Sequence, residues 1–277
     1  MKVALVVHPH RENAATLAAI FAAEAARRGI EVLASSQDAK RLQGMSVRPN
    51  DDASGCDLVV AIGGDGTVLQ AVRLALAADK PVLGVNAGDV GFLAQVEAGR
   101  IPEALDALVA ARYGESRRMT LAVSLPGHPP ASGINDVVVE KVASGHIARI
   151  AVTAGEEHLV TYRADGVVVA TPTGSTAYTF SVGGPLLDPE LDALVVTAVA
   201  PHNLFGRPIV FKPSVRLRLT VKGDRSARVN VDGRTMAVLS PGERVEVFRG
   251  DRAARFVDLF PRNFAAAVRD KFRLHDA

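Results

Sequence analysis

Short, continuous apolar runs punctuate the first 117 residues: KVALVV at 2–7, IEVLA at 30–34, CDLVVAI at 56–62 and PVLGV at 81–85. Apolar residues follow one another without alternation, the pattern of strands buried on both faces. Between them, 13–29 (NAATLAAIFAAEAARRG) and 67–79 (TVLQAVRLALAAD) have the length and alanine content of helices, and the first closes at Gly29. Strands alternating with helices predict a Rossmann-like parallel sheet covered on both faces.

The pattern changes near Arg117. From there to about 257 come short β-rich runs, among them MTLAVSL, INDVVVE, IARIAVT, HLVTYR, GVVVAT, ALVVTAV, VRLRLTV, ARVNV and RVEVF, separated by Gly, Pro, Asn and Asp. That spacing predicts an all-β domain. The last stretch, PRNFAAAVRDKF at 261–272, reads as a helix that packs back on the first domain. The expected fold is therefore α/β + β: an α/β domain over 1–117, a β-rich domain over 118–258, and a helical segment over 259–277 that returns to the first.

Composition narrows the classes. With 48% apolar and 22% charged residues, the chain of 277 residues is that of a globular protein with a sizeable core. Its net charge is only +2 and its basic residues are scattered, which argues against nucleic acid or an anionic membrane as partner. Cys56 is the single cysteine, which excludes an intrachain disulfide and a multi-cysteine zinc site and fits a cytoplasmic location. The apolar run at the N-terminus stops at His8 and Pro9, too short for a signal peptide, and no run reaches the length of a membrane span.

Candidate chemistry begins at VVAIGGDGT, 59–67, where Asp65 stands at the end of a buried strand among Gly63, Gly64 and Gly66. In an open parallel sheet, ligands bind beyond the carboxyl ends of the strands. Glycines there permit positive φ and close approach of a ligand, and the following helix offers free N–H groups to phosphate. A carboxylate in a phosphate cradle has another task, accepting a proton or holding a metal ion. The plain alternative makes Asp65 the N-cap of the helix at 67–79. Against it, position 68 is Val rather than the Glu or Gln of a capping box. Neither G-x-x-x-x-G-K-[ST] nor G-x-G-x-x-G is present.

By the same crevice rule, GVNAGDVGFL at 84–93 lies beside the Asp65 loop; its alternative is an ordinary turn with Phe92 and Leu93 in the core. TPTGSTAYTFSVGGP at 171–185 is the densest hydroxyl stretch, suited to nucleotide recognition without burial of a full charge. Asn135 and Asp136 open an apolar run, and Asp165-Gly166 has the sequence of a tight hairpin turn. The seven histidines form no metal-ligand spacing, and there is no G-x-S-x-G elbow. His146 and Arg163 are the titratable or positive groups nearest these loops, and spacing alone makes each a solvated surface residue.

Together and in this order, IGGDGT, GVNAGDVGFL, GINDVVVEK, RADGVVVATPTGSTAYTFSVGGP and FGRPIV resemble the NAD kinase family, over roughly residues 60–233. The resemblance implies an enzyme that moves the terminal phosphoryl group of ATP, with Mg²⁺ or another divalent metal, to the 2′-hydroxyl of the adenosine ribose of NAD. It makes Asp65 the general base and Gly63, Gly64 and Thr67 the phosphate loop. Asn135 and Asp136 hold ribose hydroxyls and adenine-side groups; Asp165, Thr176, Ala177, Tyr178 and Ser181 frame the dinucleotide; Phe92 lines the pocket. Gly66, Thr173 and Ala200 join the NAD-binding set. His146 and Arg163 fall where members differ, and an Arg shortly before the D-G pair is similar to the subgroup that uses ATP rather than polyphosphate.

The resemblance assigns no metal ligand, and it implies a homo-oligomer, dimer or tetramer. Two positions depart from the family pattern: Gln70, where many members carry Arg or Lys, and Arg234, where Gln is common. The rival readings are another GGDG-type kinase acting on a small molecule or lipid, and a sensor that binds NAD or NADP without chemistry. An NAD-dependent oxidoreductase lacks its fingerprint here.

Overall fold

The structure is a computed structural model that describes residues 1–42, 47–88, 91–260 and 263–274. It divides into two compact units, Met1–Arg117 with Ala254–Ala277, and Arg118–Ala253.

The first unit runs β1 (Lys2–Val7), α1 (Glu12–Arg27), β2 (Glu31–Ala34), α2 (Ser36–Arg41), β3 (Val47–Pro49), β4 (Leu58–Gly63), α3 (Asp65–Ala78), β5 (Val82–Asn86), β6 (Val96–Glu97), α4 (Ile101–Val109) and β7 (Gly114–Arg118). The second contains β8 (Leu121–Ser124), β9 (Ala131–Gly133), β10 (Asp136–Lys141), β11 (Ala148–Ala154), β12 (Glu157–Ala164), β13 (Gly166–Ala170), α5 (Tyr178–Ser181), β14 (Leu194–Val199), β15 (Ile209–Phe211), β16 (Leu217–Lys222), β17 (Ala227–Val231), β18 (Arg234–Leu239) and β19 (Arg244–Arg249). The chain then returns to the first unit as β20 (Ala254–Asp258) and α6 (Phe264–Phe272).

The sheet of the first unit has the order β3-β2-β1-β4-β5-β20-β7, with β6 also paired to β5. Pairs β1–β2, β1–β4 and β4–β5 are parallel. Every residue of β4 is buried, which is why LVVAIG carries no polar side chain. Helix α1 buries Ala14, Ala18, Phe21, Ala22 and Ala25, and α3 buries Val68, Ala71, Val72 and Ala75. Each large apolar side chain enclosed this way contributes about 1.5–3 kcal/mol before chain entropy is set against it. The sequence order reverses between β1 and β4, so the crevice beyond their carboxyl ends is a topological switch point. Asp65 begins there.

In the second unit, two six-stranded sheets, β15-β14-β13-β10-β17-β18 and β12-β11-β16-β19-β8-β9, enclose one core that includes Val137, Val139, Ile150, Tyr162, Val169, Leu194, Leu219 and Val247. β13 is buried along its whole length because Val168 and Ala170 face a second cluster with Val138 and Val195.

Two local expectations change. Asp165-Gly166 is not a hairpin: β12 and β13 belong to different sheets, and Gly166 is absent from the positive-φ residues. The D-G hairpin lies instead at Asp232 and Gly233, with φ of 46° and 74°, joining β17 to β18. The return to the first unit begins at 254 rather than 259, because β20 pairs with β5. The C-terminal helix does pack on the first unit: the rings of Phe272 and Phe92 lie 6.1 Å apart.

Candidate active site

In the first unit, the turn from β4 to α3 sets Asp65. Gly64 is the N-cap of α3 and Asp65 its first helical residue, so Asp65 does not cap the helix. Its carboxylate reaches the neighbouring loop, where Oδ2 accepts from Phe92 N at 3.0 Å and Oδ1 from Leu93 N at 3.1 Å. Those two bonds occupy two of about four lone-pair positions, and the half-buried carboxylate keeps the rest for another donor. The GVNAGDVGFL stretch therefore does lie beside the Asp65 loop; its Asp89 and Val90 are outside the described residues.

The glycines serve space rather than left-handed backbone. Gly63, Gly64 and Gly66 are not among the positive-φ residues. A Cβ on Gly63 would lie 2.2 Å from Thr67 Oγ1, and one on Gly91 would lie 2.0 Å from Asp65 Oδ1. Phe92 is half-buried against α6 and Leu93 is buried. A cavity of about 500 Å³ opens beside this loop, lined by Asn13, Thr16, Leu17, Asn86, Gly88 and Glu97.

In the second unit, Asp232 organises the start of β10. Its Oδ2 accepts from Ile134 N at 2.9 Å, and its Oδ1 from Asn135 N at 2.8 Å and Asp136 N at 3.2 Å. Sequence reasoning passed over Asp232; the signal was a D-G pair between two alternating runs. The 171–181 loop docks on the same turn. Thr171 N donates to Asn135 O at 2.9 Å and Gly174 N to Thr171 Oγ1 at 3.0 Å.

Asp136 is 5% exposed, and burial followed by the charge of Asp232 pushes its carboxyl up to about 7. Burial, then the charges of Glu140, Asp165 and Asp136, raises the phenol of Tyr178, so these groups share one locale. Asp165 is held by Lys141 Nζ at 2.6 Å, a partner that sequence spacing did not reveal. Thr173 is buried with an unpartnered hydroxyl, while Thr176 and Ser181 donate to Thr173 O at 3.1 Å and Tyr178 O at 2.8 Å.

Ala177 joins the two short helical turns, Thr173–Thr176 and Tyr178–Ser181. Ala200 follows Val199, whose carbonyl accepts from Asp165 N. His146 and Arg163 are exposed: His146 lines a recess of about 350 Å³ with Lys141, Arg225 and Ser226, and Arg163 lies on the edge strand β12. Among the described residues, no group of three or more His, Cys, Asp or Glu is placed to hold a metal ion.

The titration of Asp136 has a stability consequence. Its folded pKa lies above the unfolded value of 3.8, so between pH 4 and 7 the native state keeps a proton that the unfolded chain has released. Stability therefore falls as pH rises through that window, by up to about 4 kcal/mol. Asp136→Asn is expected to raise the melting temperature of the ligand-free protein at pH 8 and to leave it nearly unchanged at pH 4. Equal shifts at both pH values would contradict the raised carboxyl.

Comparison with known proteins fits both units. Residues 3–113 match the ATP-NAD kinase N-terminal domain, and residues 134–259 match the ATP-NAD kinase C-terminal domain. The chain belongs to the NAD kinase family. It is 38% identical to the NAD kinase of Mycolicibacterium paratuberculosis, across 98% of this chain and 95% of the relative. To that of Rhodococcus erythropolis it is 37% identical, across 99% and 94%. Among solved structures, yeast NADH kinase complexed with NADH superposes with a TM-score of 0.91 at 20% identity, covering 100% of this chain and 89% of that one. An NAD kinase from Archaeoglobus fulgidus in complex with ATP gives 0.72 at 23%, covering 92% and 93%. At those identities the superpositions establish the shared fold.

Proposed function

We propose that the chain makes NADP by transferring the terminal phosphoryl group of ATP to the 2′-hydroxyl of the adenosine ribose of NAD, with Asp65 as the general base. The observation that carries the assignment is the Asp65 carboxylate, fixed by Phe92 N and Leu93 N at the switch point of the sheet, in a member of this family. The 2′-oxygen forms a bond to the γ-phosphorus, the bond from that phosphorus to the β,γ-bridging oxygen breaks, and ADP leaves. The hydroxyl proton passes to Asp65. A positioned base contributes roughly 10²- to 10⁴-fold in rate, and alignment with electrostatic stabilisation supplies most of the remainder.

The acceptor groups take matching roles. The Asn135 amide and the Asp136 carboxyl hold ribose hydroxyls and adenine-side groups, Thr173 offers its unpartnered hydroxyl, and Asp165 with Thr176, Ala177, Tyr178 and Ser181 frames the dinucleotide. Gly66, Phe92, Ala200, His146 and Arg163 complete the contacts, with Gly63, Gly64 and Thr67 at the phosphates. The described residues form no cage of three carboxylates or imidazoles. Mg²⁺ characteristically keeps several waters and binds through substrate phosphates, so it arrives as MgATP, part of the substrate. There it neutralises charge on the transferring group.

No helix among the described residues is long and apolar enough to cross a membrane. The single cysteine, buried and free, needs no oxidising compartment, which supports a cytoplasmic enzyme. Exposed Leu204, Phe205 and Val210 on the second unit support assembly as a homodimer or tetramer, measurable by light scattering.

Purified protein incubated with NAD, ATP and Mg²⁺ is expected to form NADP, followed with an NADP-specific dehydrogenase; NAD bound without any NADP formed would favour a sensor. Gly91→Ala sharpens the site assignment. Its new methyl group displaces the Asp65 carboxylate and with it the bonds from Phe92 N and Leu93 N, so kcat is expected to fall about a hundredfold together with a moderate drop in melting temperature. An unchanged kcat would remove the need for that carboxylate position.

A further inference from the structure

The loop after β1 reads His8-Pro9-His10-Arg11 and ends as the N-cap of α1, beside the same switch point. Arg11 is placed against ordinary helix electrostatics. A cation at a helix N-terminus opposes the macrodipole, by about 0.3–1 kcal/mol at an exposed site. Arg11 meets two such ends, its own helix and α3, because its Nη1 lies 3.9 Å from the position of a Cβ on Gly64, the N-cap of α3. Arg11 is exposed, yet its guanidinium bends back toward the fold. It folds over the glycine loops, 2.8 Å from where a Cβ on Gly88 would stand.

Its neighbours intensify the positive field. Arg41 donates to His8 O at 3.2 Å and pairs with Asp38 at 3.1 Å, so its charge is partly answered. His8 Nδ1 accepts from His10 N at 3.2 Å, and burial, then the charges of Arg11, His10 and Arg41, lowers its pKa. Arg11 itself has no ion pair or side-chain hydrogen bond among the described residues. An exposed arginine at a helix start is ordinarily just solvated. This one is folded onto two glycine loops at the carboxyl edge of the sheet, where an anion would answer both helix ends and the unpaired guanidinium at once.

We propose that Arg11 grips the phosphate chain of the phosphoryl donor, a nucleoside triphosphate tail laid over Gly64 and Gly88. This inference rests on the kinase reading of the Asp65 loop. A planar guanidinium suits the task because it donates two parallel hydrogen bonds to phosphate oxygens. Gln70, on the exposed face of α3, brings no charge to share it.

The test uses the full chain with Arg11→Ala and Arg11→Lys. Arg11→Ala is expected to raise the KM for ATP roughly ten- to a hundredfold, as loss of charge-assisted hydrogen bonds implies. The KM for NAD stays unchanged, the melting temperature is unchanged or slightly raised as the opposed helix dipoles are relieved, and Arg11→Lys recovers part of the loss. Inorganic tripolyphosphate, competing with ATP, weakens by the same factor. An unchanged KM for ATP overturns the inference, as does an equal rise in both KM values with a lowered melting temperature, which marks a structural role. If the unmutated protein forms no NADP, the kinase reading fails separately. Calorimetric titration with tripolyphosphate then decides for Arg11: binding lost in Arg11→Ala supports it, and equal binding overturns it.

Discussion

Asp65→Asn is expected to lower kcat for NADP formation by roughly 10²- to 10⁴-fold, with the KM for NAD little changed. The carboxamide matches the carboxylate in shape but has no basic oxygen for the hydroxyl proton. The substitution is not silent for the fold. Both carboxylate oxygens accept backbone N–H groups, from Phe92 and Leu93, and an amide offers only one acceptor. One of those N–H groups then turns to water or meets another donor, a loss of about 1–3 kcal/mol. A moderate drop in melting temperature should therefore accompany the kinetic loss, and NAD titration separates the two. Normal turnover in a folded Asp65→Asn protein would remove Asp65 from the chemistry.

Gly174→Ala is expected to be the most damaging single methyl group in the second unit. Its Cβ would lie 2.0 Å from Asn135 O and 2.5 Å from Asn135 C, and these are backbone atoms with no side-chain freedom to yield. Both segments are pinned. Asn135 N is held by Asp232, and Thr171 N by Asn135 O. Relief must separate the 171–181 loop from the start of β10, at a cost of about 1–3 kcal/mol or more. Thermal unfolding should show the loss, and NAD affinity should fall with it, because Asn135, Asp136 and Tyr178 are positioned by this docking. A variant with unchanged melting temperature and NAD affinity would show that the loop is not locked as described.

The alternation of buried strands and helices up to α3 was legible because each element announces itself locally: β4 is apolar throughout, and α1 stops just before Gly29, which takes a positive φ. Helix α4 was passed over, although Pro102 near its start and Ile101, Ala104, Leu105 and Leu108 on one face were available signals. β20 was not legible. Its place beside β5 depends on a pairing between Phe256 and Val82, and no local pattern encodes so distant a neighbour.

The site shows the same division. The GGDG stretch announced a glycine loop at the carboxyl edge of the sheet, but sequence suggested left-handed backbone at Gly63, Gly64 and Gly66, where the structure has none and uses Gly63 to leave room for Thr67. That Asp65 is no helix cap depended on where its side chain points, across 27 residues to Phe92. The D-G turn at Asp232 was visible but its task was not, for a related reason: it acts on backbone N–H groups almost a hundred residues away, 98 to Ile134.

The central claim concerns one oxygen atom. The most direct measurement supplies ATP labelled in its γ-phosphate, with Mg²⁺, to the purified protein and offers either NAD or 2′-deoxy-NAD, the 2′-position being that of the adenosine ribose. The account predicts label on NAD and none on the deoxy analogue. Label on both at similar rates, or on neither, would contradict it.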